Sequence, residues 1–310
     1  MKRLFFYFCI FEFLFSIFAF PASAAVQTLR VSPVIINVPL SPGKSYTYEI
    51  TVENLTEHAL PLQTSLNDFQ TTGEEGGYVF EDTKTNPLLS WISLSDTVLI
   101  LNPKERKKIT LTINTPRNIP LGGYYGMLFF QPVLPDAAPG ATRVVSKIGI
   151  LLLANIGVPD QNVKQADILT FTTGLFHQDN RIPLLLRVKN TSLHFFTAKP
   201  ILTISPLIPL ISHPHQPMYL ENKIIFQDKV RRWEQTITLP GAIPNIYKAH
   251  MAVSTGGGNY VTQDRYFIVF PFTYTIIVLA ILLLLFFLVK KRNRLRIVIK
   301  ILMTDIAIAF

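Results

Sequence analysis

Cysteine is nearly absent from this 310-residue chain. The single one, Cys9, lies in the apolar amino-terminal stretch, so the segment after it can close no disulfide and must be held by its packed cores. Cys9 also falls mid-stretch instead of at the end of the apolar run, which makes it a poor lipid-attachment site. Carboxylates are sparse and scattered, leaving no evident pair for glycoside cleavage. There is no Gly-x-Ser-x-Gly elbow and no His-Glu-x-x-His helix, and Gly256-Gly257-Gly258 precedes a strand pattern, as a hairpin turn does and a phosphate cradle does not. Of the six histidines, His58 and His194 recur at equivalent points of an internal repeat, which assigns them to the fold. His213-Pro214-His215 lacks a neighbouring Cys or organised carboxylate and reads as a loop tip. The chain is therefore expected not to be an enzyme and to bind no metal or cofactor.

Charge is present but unevenly placed. The formal +9 divides into +1 over residues 1–24, +3 over 25–270 and +5 over 271–310. Most of the excess is thus topogenic, and no nucleic-acid partner is expected. Phe272 to Val289 is a run of eighteen uncharged residues ending in Lys290-Lys291-Arg292-Asn293-Arg294-Leu295-Arg296. At 1.5 Å per residue it makes about 27 Å of helix, enough to cross a hydrocarbon core, with the basic cluster on the cytoplasmic side. Lys2 and Arg3, the apolar Leu4 to Phe20 and Ala22-Ser23-Ala24 form a signal peptide with its cleavage site, residues 1–24. Glu12 inside that stretch keeps an uncleaved anchor as the alternative. The expected topology is single-pass in the cell membrane, with the preceding segment extracytoplasmic and a basic tail, 290–310, cytoplasmic. Ile297 to Phe310 is too short to recross, and Lys300 and Asp305 interrupt it.

Between Thr28 and Phe270 apolar residues favour alternate positions, as in Tyr48/Ile50/Val52, Ile109/Leu111/Ile113 and Leu184/Leu186/Val188. This marks strands with one wet face. Turn chemistry separates them at Ser41-Pro42-Gly43, Asn102-Pro103, Pro120-Leu121-Gly122-Gly123 and Pro240-Gly241. A repeat relates two halves: Val52-Glu53-Asn54-Leu55-Thr56-Glu57-His58 matches Val188-Lys189-Asn190-Thr191-Ser192-Leu193-His194, and a basic cluster, a strand and a proline–tyrosine turn recur downstream, at Pro120/Tyr124 and Pro244/Tyr247. The fold class is all-β: two tandem immunoglobulin-like β-sandwiches, 25–160 and 161–270, followed by a single transmembrane α-helix, 271–289. The first is expected to fold as an independent unit.

Two clusters are candidates for binding. Lys104, Arg106, Lys107 and Lys108 offer closely spaced cations to an anionic wall polymer, although lysines at a strand entrance also prevent edge-to-edge pairing. The proline-rich Ile201 to Tyr219 is expected to be a loop and not a central strand, presenting Leu207, Ile208, Leu210 and Ile211 to a partner. Trp91, between Leu88-Leu89 and Ile92, reads as a sandwich-core aromatic.

Val52-x-Asn54-x-Thr56, Trp91-Ile92 before Leu99-Ile100-Leu101-Asn102-Pro103, and Thr115-Pro116 leading to Gly122-Gly123-Tyr124-Tyr125-Gly126 resemble the amino-terminal domain of bacterial WxL-interacting proteins. The order of signal peptide, two sandwiches, one span and a basic tail is similar to that family over almost the whole chain. The resemblance implies a peptidoglycan-associated first domain and a second domain that engages host ligands or WxL partners. The expected function is that of a membrane-anchored cell-surface scaffold displaying two sandwiches to wall polymer or a surface protein. The alternative is a chaperone-like assembly protein that accepts a client strand by β-augmentation.

Overall fold

The alternating segments become strands whose buried side chains face two cores. A computed structural model describes residues 28–81, 86–133, 146–157, 165–209, 216–240 and 243–290. The signal segment, the 158–164 boundary and the tail after Lys290 lie outside the described residues.

Sandwich 1 packs a sheet of order β1-β3-β8-β6 on one of order β2-β10-β9-β4-β5. In the first are β1 (Leu29–Ser32), β3 (Ser45–Asn54), β6 (Ile92–Leu94) and β8 (Arg106–Asn114). In the second are β2 (Ile35–Leu40), β4 (Leu60–Thr72), β5 (Gly77–Glu81), β9 (Gly122–Pro132) and β10 (Ile148–Ile156), with β7 (Val98–Leu101) also on β4. The first strand is shared: β1 runs antiparallel to β3, whereas β2 runs parallel to β10. A single helical turn, α1 (Leu88–Trp91), precedes β6 and places Trp91 in the core against Tyr124, ring centroids 5.1 Å apart.

Sandwich 2 has β11 (Ala166–Thr172), β13 (Arg181–Asn190) and β17 (Val230–Thr238) in one sheet. The other has the order β12 (Phe176–His177), β19 (Asn259–Val269), β18 (Asn245–Gly256), β14 (Phe196–Pro206), β15 (Met218–Tyr219), with β16 (Lys223–Ile225) also on β14. The Gly256-Gly257-Gly258 turn joins β18 to β19, all three glycines having positive φ. Two residues after β19 begins α2 (Phe272–Lys290), long and apolar enough to cross a membrane.

The repeat has a structural content. The buried Asn54 amide donates to the carbonyls of His58, Leu101 and Asn102 and accepts from the N–H and hydroxyl of Thr56. Asn190 donates to His194 and Ile225 and accepts from Ser192 in the same two ways. Each asparagine thus closes its own turn and ties it to a distant strand end. A second shared device is a tyrosine corner: Tyr124 donates to the carbonyl of Pro120 at 3.0 Å, and Tyr247 to that of Ile243 at 3.1 Å. The second corner is therefore anchored four residues upstream, at Ile243, and not at Pro244.

One expectation is corrected. Ile201 to Pro206 is not a loop but the second half of β14, a central strand paired with β18 along Lys199 to Pro206. Pro200 is tolerated because β16 pairs with β14 at Phe196–Ala198 and β15 at Ile201–Leu202, leaving a gap at Pro200 where no N–H is called for. Pro206 ends the strand.

A third apolar cluster belongs to both sandwiches. Phe69, Met127, Phe129, Leu151 and Leu153, on the outer face of the β10-β9-β4 sheet, pack against Phe195 and Phe226 of sandwich 2. Backbone and side-chain bonds reinforce the seam: Gly123 N–H donates to Leu193, the Asn155 amide to Phe195, and the His194 imidazole meets the Ile156 carbonyl at 2.9 Å.

Candidate functional site

The cation cluster lies along β8 and the turn before it, Lys104 holding a positive φ of 60°. Every member meets a carboxylate. Lys104 Nζ lies 2.8 Å from Glu57, Arg106 3.2 Å from Glu53, Lys107 3.3 Å from Asp96 and Lys108 2.7 Å from Glu49. Arg30, Glu53 and Arg106 stand opposite one another across β1, β3 and β8, so the sheet face carries alternating charge and not a positive field. Ser95, by its hydrogen bond, and then Lys107 hold the Asp96 carboxyl below the usual carboxylate range. Lys107 occupies an inward-pointing position where β8 runs past the end of β6, which places a charge at an exposed sheet margin. This geometry fits an edge guard and gives the anion-binding reading no added support.

Of the second cluster, Leu207 and Ile208 are exposed just beyond β14, and Leu210 and Ile211 lie outside the described residues, as do His213 and His215. The Leu207 N–H donates to the Ile246 carbonyl at 2.7 Å, and the Asn245 amide to Ile208 at 2.9 Å, so the apolar pair is pinned to the end of β18. The two clusters lie in different sandwiches and form no common site. Among the described residues no group of three or more His, Cys, Asp or Glu side chains could hold a metal.

Sequence reasoning missed β5. It is the last strand of its sheet, and among the described residues none pairs with its outer edge. Tyr78, Val79 and Phe80 are 38%, 50% and 47% exposed. Only their inner sides are held, Tyr78 edge-on to Phe69 and Phe80 edge-on to Phe129. Of the other margins of sandwich 1, β2 carries Pro39 and β1 carries Arg30 paired with Glu53, while β7, also on β4, leaves Val98 and Ile100 exposed. The signal was present in the sequence as three consecutive bulky apolar residues after a glycine-bounded acidic turn, too short for alternation to reveal which face is wet.

The β4–β5 hairpin is held firmly at its tip. Glu74 accepts two bonds from the Arg187 guanidinium, one of 2.7 Å, and its carbonyl accepts from the Arg232 N–H at 3.0 Å. The Arg187 hydrogen bond holds the Glu74 carboxyl below the usual range and raises Arg187 in turn. Beneath the tip, Arg231 is 2% exposed, its Nε donating to the Ile224 carbonyl at 3.0 Å; burial pulls its pKa below the usual guanidinium value. The turn end of the strand is thus clamped to sandwich 2.

Comparison with known proteins was uninformative at the level of sequence: no family model and no curated protein matches. Solved structures with a similar arrangement include the class 5 fimbriae chaperone CfaA, 14% identical over 78% of this chain and 99% of that one, TM-score 0.39. The E. coli chaperone DraB is 13% identical over 77% and 96%, TM-score 0.38. The Salmonella enterica SafA pilin in complex with the SafB chaperone gives 12% over 79% and 98%, TM-score 0.36. At this similarity these structures carry no inference about ligand or activity.

Proposed function

We propose that this chain is a membrane-tethered binding protein whose protein partner adds an extended segment to the outer edge of β5. The observation that carries the reading is that β5 is a margin with three exposed apolar residues and no proline or positive charge, on a hairpin whose turn is clamped. Main-chain hydrogen bonds to the edge would supply affinity, and Tyr78 and Phe80 would offer side-chain contacts on one face. Both cores of the sandwiches are filled by fully buried side chains, so a client would extend a sheet instead of entering a groove. Some of the similar folds are chaperones of fimbrial subunits, but that likeness is too distant to add weight. In this reading α2 spans the cell membrane, with the sandwiches extracytoplasmic. The resemblance to WxL-interacting proteins makes a surface protein the partner to look for first.

A photo-crosslinker at Val79 in the full chain, activated in intact cells, is expected to yield a discrete adduct that Phe80→Lys abolishes without lowering the melting temperature appreciably. An adduct at Val79 that survives Phe80→Lys, or none beyond that at a control position such as Asn114, would reject edge addition.

A further inference from the structure

Where β19 approaches α2, four side chains, three from adjacent strands and one just beyond the end of a fourth, fall in one register row. Phe176 pairs with Ile268, Ile268 with Ile246, and the Leu207 N–H bonds to the Ile246 carbonyl. All four are on the outer face, 53%, 37%, 38% and 55% exposed respectively, while the next residues, Tyr247 and Phe267, point into the core. At the usual interstrand spacing the row is about 14 Å wide. Leu175 and Ile208 extend it at either end. α2 does not cover it, since none of its apolar window is buried.

We propose that this row is a membrane-seating surface, which rests in the interfacial layer of the leaflet that α2 enters. The inference depends on the reading of α2 as a membrane span. It follows from reach: Phe272 is four residue steps from Ile268, about 14 Å of chain at most, and the polar layer of a bilayer is several ångströms deep on each side. The junction is also fixed, with Phe270 N–H donating to His177 and Phe272 N–H to Gln178, each at 2.8 Å. Polarity is graded in the direction that a bilayer would select. One step further from α2 on the same face stand Ser205, Lys248 and the exposed Tyr266. A further step brings Thr203, His250 and Asp264, with Asp264 bonded to both Lys248 and His250. Apolar side chains thus lie nearest the span, a tyrosine and a lysine able to snorkel come next, and a charged network lies outermost. A folded protein partner would have no reason to require that gradient; a lipid surface does.

The test uses the full chain with Cys9→Ser, reconstituted in phosphatidylcholine/phosphatidylglycerol vesicles. An environment-sensitive dye is placed on a single cysteine at Leu207, Ile246, Val98 or Leu283. Lipids brominated in the acyl chain near the headgroup are expected to remove most of the fluorescence at Leu207 and Ile246 and leave Val98, equally apolar but in sandwich 1, unaffected. If Leu283 is quenched while Leu207 and Ile246 behave like Val98, the span stands and the seating surface is refuted. If Leu283 escapes quenching by lipids brominated at the chain terminus, the span itself is lost, and the proposal with it. Protection of Leu207 from aqueous iodide without bromolipid quenching would assign the row to a protein and likewise overturn the proposal.

Discussion

Asn54 and Asn190 show how far a single residue type can carry a fold. Each is fully buried, and each satisfies its carbonyl oxygen locally and its amide both four residues on and at a distant strand end. The local half was legible, because an asparagine followed two residues later by Thr or Ser and four later by His is a sequence pattern with a turn mechanism behind it. The remote acceptors, Leu101 and Asn102 in one case and Ile225 in the other, were not, since nothing local announces which strand end will arrive there. Asn190→Ala would strand the buried carbonyl of Ile225, that of His194 keeping the Ser192 hydroxyl, and is expected to cost about 1 to 3 kcal/mol, the usual penalty for an orphaned buried group. Asn54→Ala should cost less, as the His58 side is only partly buried. Urea midpoints of the two variants would show this, and an Asn190→Ala protein as stable as the parent would mean that these bonds are replaced by water at no cost.

Among elements, the alternating strands were legible and the margins were not. The apolar run after Pro271 was legible over almost the span of α2, because long apolar patterns leave few alternatives. The Ile201 to Pro206 half of β14 was misread because Pro206 and the prolines after it mark only where the strand ends, and nothing local says how far the apolar run before them stays paired. In the β4–β5 hairpin the turn residue Glu74 is the clamp. Because Arg187 depresses the Glu74 carboxyl, the contribution of this pair is complete above the ordinary glutamate range and is lost as pH falls through the depressed value. Amide exchange of residues 73–77, corrected for the intrinsic rate, should therefore accelerate on acidification in the native protein. In Glu74→Gln it should be fast already at neutral pH and show no further acid step. Identical profiles for the two proteins would exclude Glu74 as the clamp.

At the scale of the whole molecule, the repeat suggested two independent sandwiches, and the structure joins them through a third cluster. The hint lay in β10, where Ile150 to Ala154 is an unbroken apolar run with every side chain buried. A strand that is apolar on both faces is covered on both faces. One cover is the sandwich core, and the other is Phe195 and Phe226 of sandwich 2. Isolated, sandwich 1 would expose Phe69, Met127, Phe129, Leu151 and Leu153 together, a patch large enough to favour association. The chain carries its own reporters of this coupling, since Trp91 is in the first core and Trp233 in the second. Single-tryptophan versions of residues 25–270, made with Trp233→Phe or Trp91→Phe, should each report an unfolding midpoint, and the two should coincide once each substitution's own cost is measured by circular dichroism. Phe226→Ala removes a fully buried ring from the seam and is expected to cost about 3 to 5 kcal/mol. In its presence the two tryptophan midpoints should separate, because the sandwiches then unfold without a shared core. Separate midpoints in the parent would show that the seam forms only after each sandwich has folded, and would return the molecule to the two independent units that its repeat suggests.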